Sequence, residues 1–214
     1  ISVAVAIGDS ADKLIENITP KINNIKVGPY NDETSDMGPV VSKDAYERIN
    51  GLIDSGVEEG ANLIVDRRNI KLQGYENGYF IGPCLFDNVK DNMKIYREEI
   101  FGPVLSIVRA KNYEEGLQLV KDNPYGNGCS IFTRDGDTAR NFSSEANIGM
   151  VGVNIPIPVP VAYFSFGGWK NSIFGGHNAY GMEAIRFYTH TKTITSKWPE
   201  GIRSGAQFTM PTLG

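Results

Sequence analysis

Two adjacent carboxylates, Glu98 and Glu99, run straight into Ile100-Phe101-Gly102-Pro103 and then Val104-Leu105. An acid pair at so stiff a corner has two readings. It is a solvated acidic turn, or one member points into a cleft and holds a ligand. The other reactive side chains are few. Cys84 follows Gly82-Pro83, and Cys129 sits in Gly126-Asn127-Gly128-Cys129-Ser130-Ile131. That second stretch begins like a dinucleotide fingerprint, but Ile131 stands where the third glycine is needed. A strand follows it, where a phosphate loop would open a helix. Both cysteines read as small core residues rather than nucleophiles. His177 and His190 lie far along the sequence from either thiol, so spacing gives no support for a Cys-His pair. The four residues together show neither metal-ligand spacing nor a disulfide framework, which suits a reducing compartment and no structural zinc. Asn141-Phe142-Ser143 matches a glycosylation sequon, but within an expected helix of a cysteine-poor chain it reads as chance.

The elements that must carry these residues alternate. The opening run at 1–7 is almost wholly Ile, Val and Ala and reads as a buried strand cut open; with no initiating Met before it, the sequence is expected to be part of a longer chain. Residues 11–25 follow as one helix, or as two with Pro20 starting the second. From Ser42, Ala45, Ile49, Leu52, Ile53 and Val57 form the stripe of an amphipathic helix that stops near Gly56 or Gly60. A short strand at 63–65, a hairpin or surface loop at 66–78 and a broken strand at 80–86 come next. Strand 103–110, helix from Tyr113 to the Asn123-Pro124 break, strand 130–133, helix 135–148 and strand 150–153 complete the alternation. This order predicts an α/β fold, a mainly parallel twisted sheet with flanking helices.

After Asn154 the pattern changes. Pro156, Pro158 and Pro160 alternate with Ile and Val, which forbids a central strand and gives a stiff apolar wall. Such a wall either lines a binding cleft or covers the core. The β-forming run 187–195 predicts a strand that closes a sheet edge or pairs with another subunit.

Composition excludes several classes. Across 214 residues, 41% hydrophobic and 21% charged is ordinary for a globular chain, and no apolar run is long enough to cross a bilayer. A formal net charge of −4 provides no basic field for a nucleic-acid backbone.

Six stretches recur in a known order: KVGPYNDETSDMGPVVS at 26–42, NGYFIGPCLFDNV at 77–89, REEIFGPVL at 97–105, NPYGNGCSIFTRD at 123–135, GMVGVN at 149–154 and FGGWKNS at 166–172. Through them the chain resembles the aldehyde dehydrogenase superfamily over almost its whole length. The proline-alternating segment, the run GMEAIRFYTHTKTITSKW and the closing MPTLG resemble its coenzyme A-acylating branch, the methylmalonate-semialdehyde dehydrogenases.

The resemblance implies roles. Glu99 would accept hydrogen bonds from the nicotinamide ribose hydroxyls of NAD, since a carboxylate has two acceptor oxygens suited to a vicinal diol, with Glu98 its solvated neighbour. Phe101 would pack near the nicotinamide. Phe166 would line the aldehyde pocket, and Ile155 and Pro156 would shape it. It also implies that the nucleophilic cysteine lies just ahead of Ile1, so that none of the catalytic residues is in this chain and these residues alone are inactive. Residues 1–186 would be the C-terminal part of the catalytic domain and 187–214 an oligomerisation arm and tail, building a homodimer or homotetramer through a C-terminal strand. The complete enzyme would turn a small semialdehyde, NAD and the co-substrate coenzyme A into propionyl-CoA or acetyl-CoA, CO2 and NADH. It would be cytoplasmic in a bacterium and in the mitochondrial matrix of a eukaryote, with valine, inositol and β-alanine breakdown all open as settings. A hydrolytic aldehyde dehydrogenase and an inactive oligomerisation or binding module are the competing readings.

Overall fold

The computed structural model describes residues 1–198. Two compact units are present. The first is made of Ile1–Val159 with Gly167–Phe174, and the second takes Pro160–Phe166 and the chain from Gly175 onward.

The first unit is built on a four-stranded sheet in the order β1-β4-β3-β2, from β1 (Val3–Ile7), β2 (Asn62–Val65), β3 (Cys84–Asp87) and β4 (Val104–Ala110). β1, β4 and β3 are mutually parallel, and β2 joins antiparallel at the edge. Helices cover both faces, which explains why β3 is buried at all four positions instead of alternating. Leu85 and Ile107 meet Ala11 and Ile22 of α1 (Ser10–Asn24) on one face. On the other, Cys84, Phe86, Val104 and Val108 meet Ile49, Leu52 and Ile53 of α2 (Lys43–Glu58) and Ile95 of the one-turn α3 (Lys94–Arg97).

α2 has well-defined ends. The Ser42 hydroxyl accepts from the Ala45 N–H at 3.1 Å, and the C-terminus closes with Gly60 N–H on the Val57 carbonyl and Ala61 N–H on the Gly56 carbonyl. That double closure needs the left-handed conformation that Gly60 adopts, at φ 94°. Gly60 is therefore the stop. Gly56 is buried within the helix instead, close against Ile95 and Phe86.

A second parallel pair, β6 (Gly128–Ile131) with β7 (Met150–Val153), packs against α4 (Tyr113–Asp122) and α5 (Gly136–Glu145) through Leu117, Val120, Phe142 and Ile148. β5 (Tyr125–Gly126) and β8 (Trp169–Lys170) form a small antiparallel pair. α6 (Glu183–Tyr188) belongs to the second unit.

Several elements differ from the sequence expectation. α1 is one helix running through Pro20, whose lost N–H partner would be the Glu16 carbonyl; both residues lie on the exposed face, where water can replace that bond. The strand expected at 130–133 sits two residues earlier, and Asp135 caps α5 from outside it, accepting from the Asp137 and Thr138 N–H groups. Asn141 is in α5 and its side-chain oxygen accepts from the Tyr113 hydroxyl at 2.7 Å. The C-terminal strand expected at 187–195 is not formed: Phe187 and Tyr188 end α6, and 189–198 has no regular structure. A β-forming run makes a strand only where a sheet edge accepts it, and this one meets none among the described residues.

Candidate functional site

The corner before β4 is held from below by two consecutive residues of α2. Arg48 donates to the main-chain carbonyls of Glu99 at 3.0 Å and of Ile100 at 2.7 Å. Ile49, fully buried, fills the space beneath Gly102, where a Cβ would stand 2.7 Å from the Ile49 Cδ1. Pro103 completes the turn: Val104 N–H donates to the Gly102 carbonyl across it, and Cys84 N–H takes the Pro103 carbonyl into the sheet. Ile100, 3% exposed, anchors the segment in the core.

Between those fixed points Phe101 stands at φ 50° with 79% of its surface exposed. A bulky residue in the left-handed region costs roughly 1–2 kcal/mol, and this one gains almost no burial in return. Strain retained at an exposed aromatic is characteristic of a site that receives something. Glu98 and Glu99 are both exposed, and among the described residues no group bonds to either carboxylate. The acceptor oxygens of Glu99 are thus open to a donor from outside, on a backbone whose own carbonyl is pinned.

Strand register adds a second fact. β1 runs parallel to β4 with Val3 opposite Ser106, and Ser106 N–H donates to the Ser2 carbonyl at 3.0 Å. The start of β1 therefore lies at the same end of the sheet as the Gly102-Pro103 corner.

Ile155 and Pro156 occupy another part of the first unit, just past β7. Both are exposed, as are Ile157 and Val159, while the Pro158 ring turns inward over Gly128 and Gly152. Phe166 belongs to the second unit, stacked on Tyr180 with ring centroids 4.6 Å apart and planes at 12°. A hollow of about 470 Å3 in that unit is lined by Gly175, Gly176, His177, Arg186 and His190, of which the sequence had drawn attention only to the two histidines, as unsupported partners for a cysteine.

The thiols are poorly suited to attack. Cys84 is 1% exposed and burial pushes its pKa up to about 11; burial also raises Cys129. Among the described residues no group of three or more His, Cys, Asp or Glu could hold a metal ion, and no helix is long and apolar enough to cross a membrane.

The profile of the aldehyde dehydrogenase family matches residues 2–194. The chain belongs to the aldehyde dehydrogenase family. Within it, the sequence is 53% identical over its full length to a malonate-semialdehyde dehydrogenase of Pseudomonas aeruginosa, covering 43% of that protein. It is 46% identical to the human mitochondrial methylmalonate-semialdehyde/malonate-semialdehyde dehydrogenase [acylating], again along the whole chain and 40% of the relative. A crystal structure from Sinorhizobium meliloti, described as that of a methylmalonate-semialdehyde dehydrogenase complexed with NAD, superposes with a TM-score of 0.90 at 61% identity; 95% of this chain and 42% of that one are covered. The chain thus spans about two-fifths of the length of these aldehyde dehydrogenases.

Arg48 and Asn154 are the positions that the sequence did not bring forward. Arg48 stands next to Ile49 of the apolar stripe, and its only signal is that adjacency. Asn154 was legible only as the last residue of the GMVGVN stretch, where the strand pattern ends.

Proposed function

We propose that this chain is the C-terminal portion of an NAD-dependent, coenzyme A-acylating semialdehyde dehydrogenase acting on methylmalonate or malonate semialdehyde. The observation that carries the reading is the corner itself. An unpartnered Glu99 carboxylate and a strained, exposed Phe101 are fixed on a backbone that Arg48 and Ile49 immobilise. A dinucleotide ribose fits this arrangement. Its two adjacent hydroxyls match the two acceptor oxygens of Glu99, and Phe101 offers a flat apolar face one step further along. NAD, when bound, supplies the hydride acceptor.

The chain's own residues bind and orient. Glu99 accepts from the ribose hydroxyls, and because its main chain is held, the ribose cannot drift from the reacting aldehyde carbon. Phe101 keeps water from that side of the ring. Ile155 and Pro156 give the aldehyde a rigid apolar boundary. For Phe166 the support is the resemblance of its motif alone, which implies a pocket-lining aromatic. The register of β1 supports an upstream nucleophile: residues leading into Ile1 in a longer chain would approach at the sheet end that bears the Glu99–Phe101 corner. The overall reaction converts methylmalonate semialdehyde, coenzyme A and NAD+ into propionyl-CoA, CO2 and NADH, with malonate semialdehyde giving acetyl-CoA. Residues from 187 onward form the arm that joins subunits into a homodimer or homotetramer.

The test is NADH formation by the complete protein with methylmalonate semialdehyde, with and without coenzyme A. Turnover that requires coenzyme A is expected. Equal turnover without it, yielding the free acid, would assign the protein to the hydrolytic aldehyde dehydrogenases.

A further inference from the structure

We infer that Asn154 is the positioning residue that aims the apolar wall beginning at Ile155, and thereby sets how tightly the semialdehyde is held. The inference rests on the reading of that wall as the aldehyde boundary. Three observations converge on it. β7 ends at Val153, opposite Ile131, and the ladder continues one step because Asn154 N–H donates to the Ile131 carbonyl at 2.8 Å. The side chain then substitutes for a further strand residue: its amide oxygen accepts from Thr133 N–H at 2.9 Å, and its amide nitrogen donates to the Thr133 carbonyl at 3.0 Å. Finally, Asn154 adopts φ 56°, a left-handed conformation that asparagine tolerates better than other residues with a side chain.

The geometric consequence is a change of direction. A strand residue with ordinary φ would carry the chain onward from β7, whereas the left-handed step turns it back over its own sheet. The Ile155 carbonyl and the Pro158 ring then lie above Gly152, 3.0 and 3.1 Å from where a Cβ would stand. The alternating prolines stiffen the segment beyond the turn, so the direction chosen at Asn154 is transmitted along it instead of being lost within a residue or two. Ile155, Ile157 and Val159 consequently face outward as one apolar row, at 52%, 66% and 51% exposure. A two-point clamp on Thr133 leaves the turn with a single orientation, because rotating the Asn154 side chain would break both bonds at once.

The experiment uses the complete protein and separates the two substrates. Asn154→Gly keeps the left-handed turn and removes the clamp; it is expected to raise KM for the semialdehyde about tenfold while KM for NAD stays within about twofold. Asn154→Asp keeps one accepting oxygen but cannot donate to the Thr133 carbonyl, and should fall between wild type and glycine; it reads the same split if the glycine variant does not accumulate. Ile155→Ala is the control for the wall. If Ile155→Ala raises the semialdehyde KM but neither Asn154 variant does, or if the Asn154 variants raise both KM values together with a lowered Tm, the positioning role is wrong. If Ile155→Ala leaves the semialdehyde KM unchanged, the wall is not the aldehyde boundary, and the role of Asn154 fails with it.

Discussion

Arg48 and Glu99, distant in sequence, are joined through the main chain: the guanidinium donates to the Glu99 carbonyl at 3.0 Å and to the next carbonyl, of Ile100, at 2.7 Å. The Glu99 side chain takes no part in this contact, so its carboxylate remains free while its backbone is fixed. Arg48→Gln in the complete enzyme should therefore weaken NAD without abolishing folding. The expected change is a rise in KM for NAD of about tenfold, equivalent to about 1.4 kcal/mol. In a Glu99→Gln background the same substitution should add little, since the two act as one unit. Additive effects in the double variant would show that Arg48 acts elsewhere.

Phe101 presents a trade between stability and function. Replacing it with glycine removes a left-handed residue at a cost of roughly 1–2 kcal/mol, against a gain in unfolded-state freedom of roughly 0.5–1 kcal/mol. With 79% of the side chain exposed, little burial is lost. Phe101→Gly should thus leave the stability of the described fold unchanged or raise it by up to about 1 kcal/mol, while lowering the turnover of the complete enzyme. Equilibrium urea unfolding decides this, and a clear loss of stability would mean that Phe101 packs more tightly than its exposure indicates.

Periodicity and punctuation made much of this fold legible. The α2 stripe, the break at Asn123-Pro124 and the apolar runs of β1 and β4 are local signals, and each appears where the residues place it. The Glu99–Phe101 corner was legible as a stiff turn bearing an acid. Its strain was not, because φ at Phe101 is imposed by Arg48, Ile49 and the sheet, contacts remote in sequence. The same reason hid Asn154, whose partners are Ile131 at the end of β6 and Thr133 just past it. It also explains the run at 189–198, where β-forming residues alone cannot supply the edge that a strand requires.

Gly56 sets helix propensity against packing. In an exposed helix interior, Gly→Ala gains roughly 0.8–1 kcal/mol. Here the new methyl would stand 2.8 Å from the Ile95 Cδ1 and 3.2 Å from both the Ile95 Cγ2 and the Phe86 ring. Overpacking of a well-filled core costs typically about 1–3 kcal/mol, so Gly56→Ala is expected to gain nothing or to destabilise by up to roughly 2 kcal/mol net. Gly51 lies in the same helix with open space around its would-be Cβ, and Gly51→Ala should stabilise. Thermal unfolding of the pair tests the contrast, which disappears if α2 can shift away from α3 without loss.

The Asp87–Arg109 pair gives the fold a defined acid response. Asp87 is 4% exposed at the end of β3, and Arg109 reaches it with two bonds of 2.9 Å while also pairing with Asp12 at 2.6 Å. Burial alone would raise the Asp87 pKa, but the Arg109 hydrogen bonds, the Asn88 N–H and the guanidinium charge outweigh it and hold the carboxyl below its ordinary 3.8. A depressed folded value means that the unfolded chain binds the proton more tightly. The stabilisation is therefore fully present above the ordinary value and is lost as pH falls through the depressed one. In Arg109→Met the burial penalty remains with only Asn88 to offset it, which should destabilise the fold at about pH 7 by roughly 1–3 kcal/mol. The variant's Asp87 would then titrate higher than the wild type's, so acidification removes a gain that the wild type has and the variant largely lacks. Urea midpoints for the two proteins should consequently converge as pH is lowered from neutrality toward about 3. A gap that stays constant over that range would assign the Arg109 contribution to packing of its stem rather than to the ion pair.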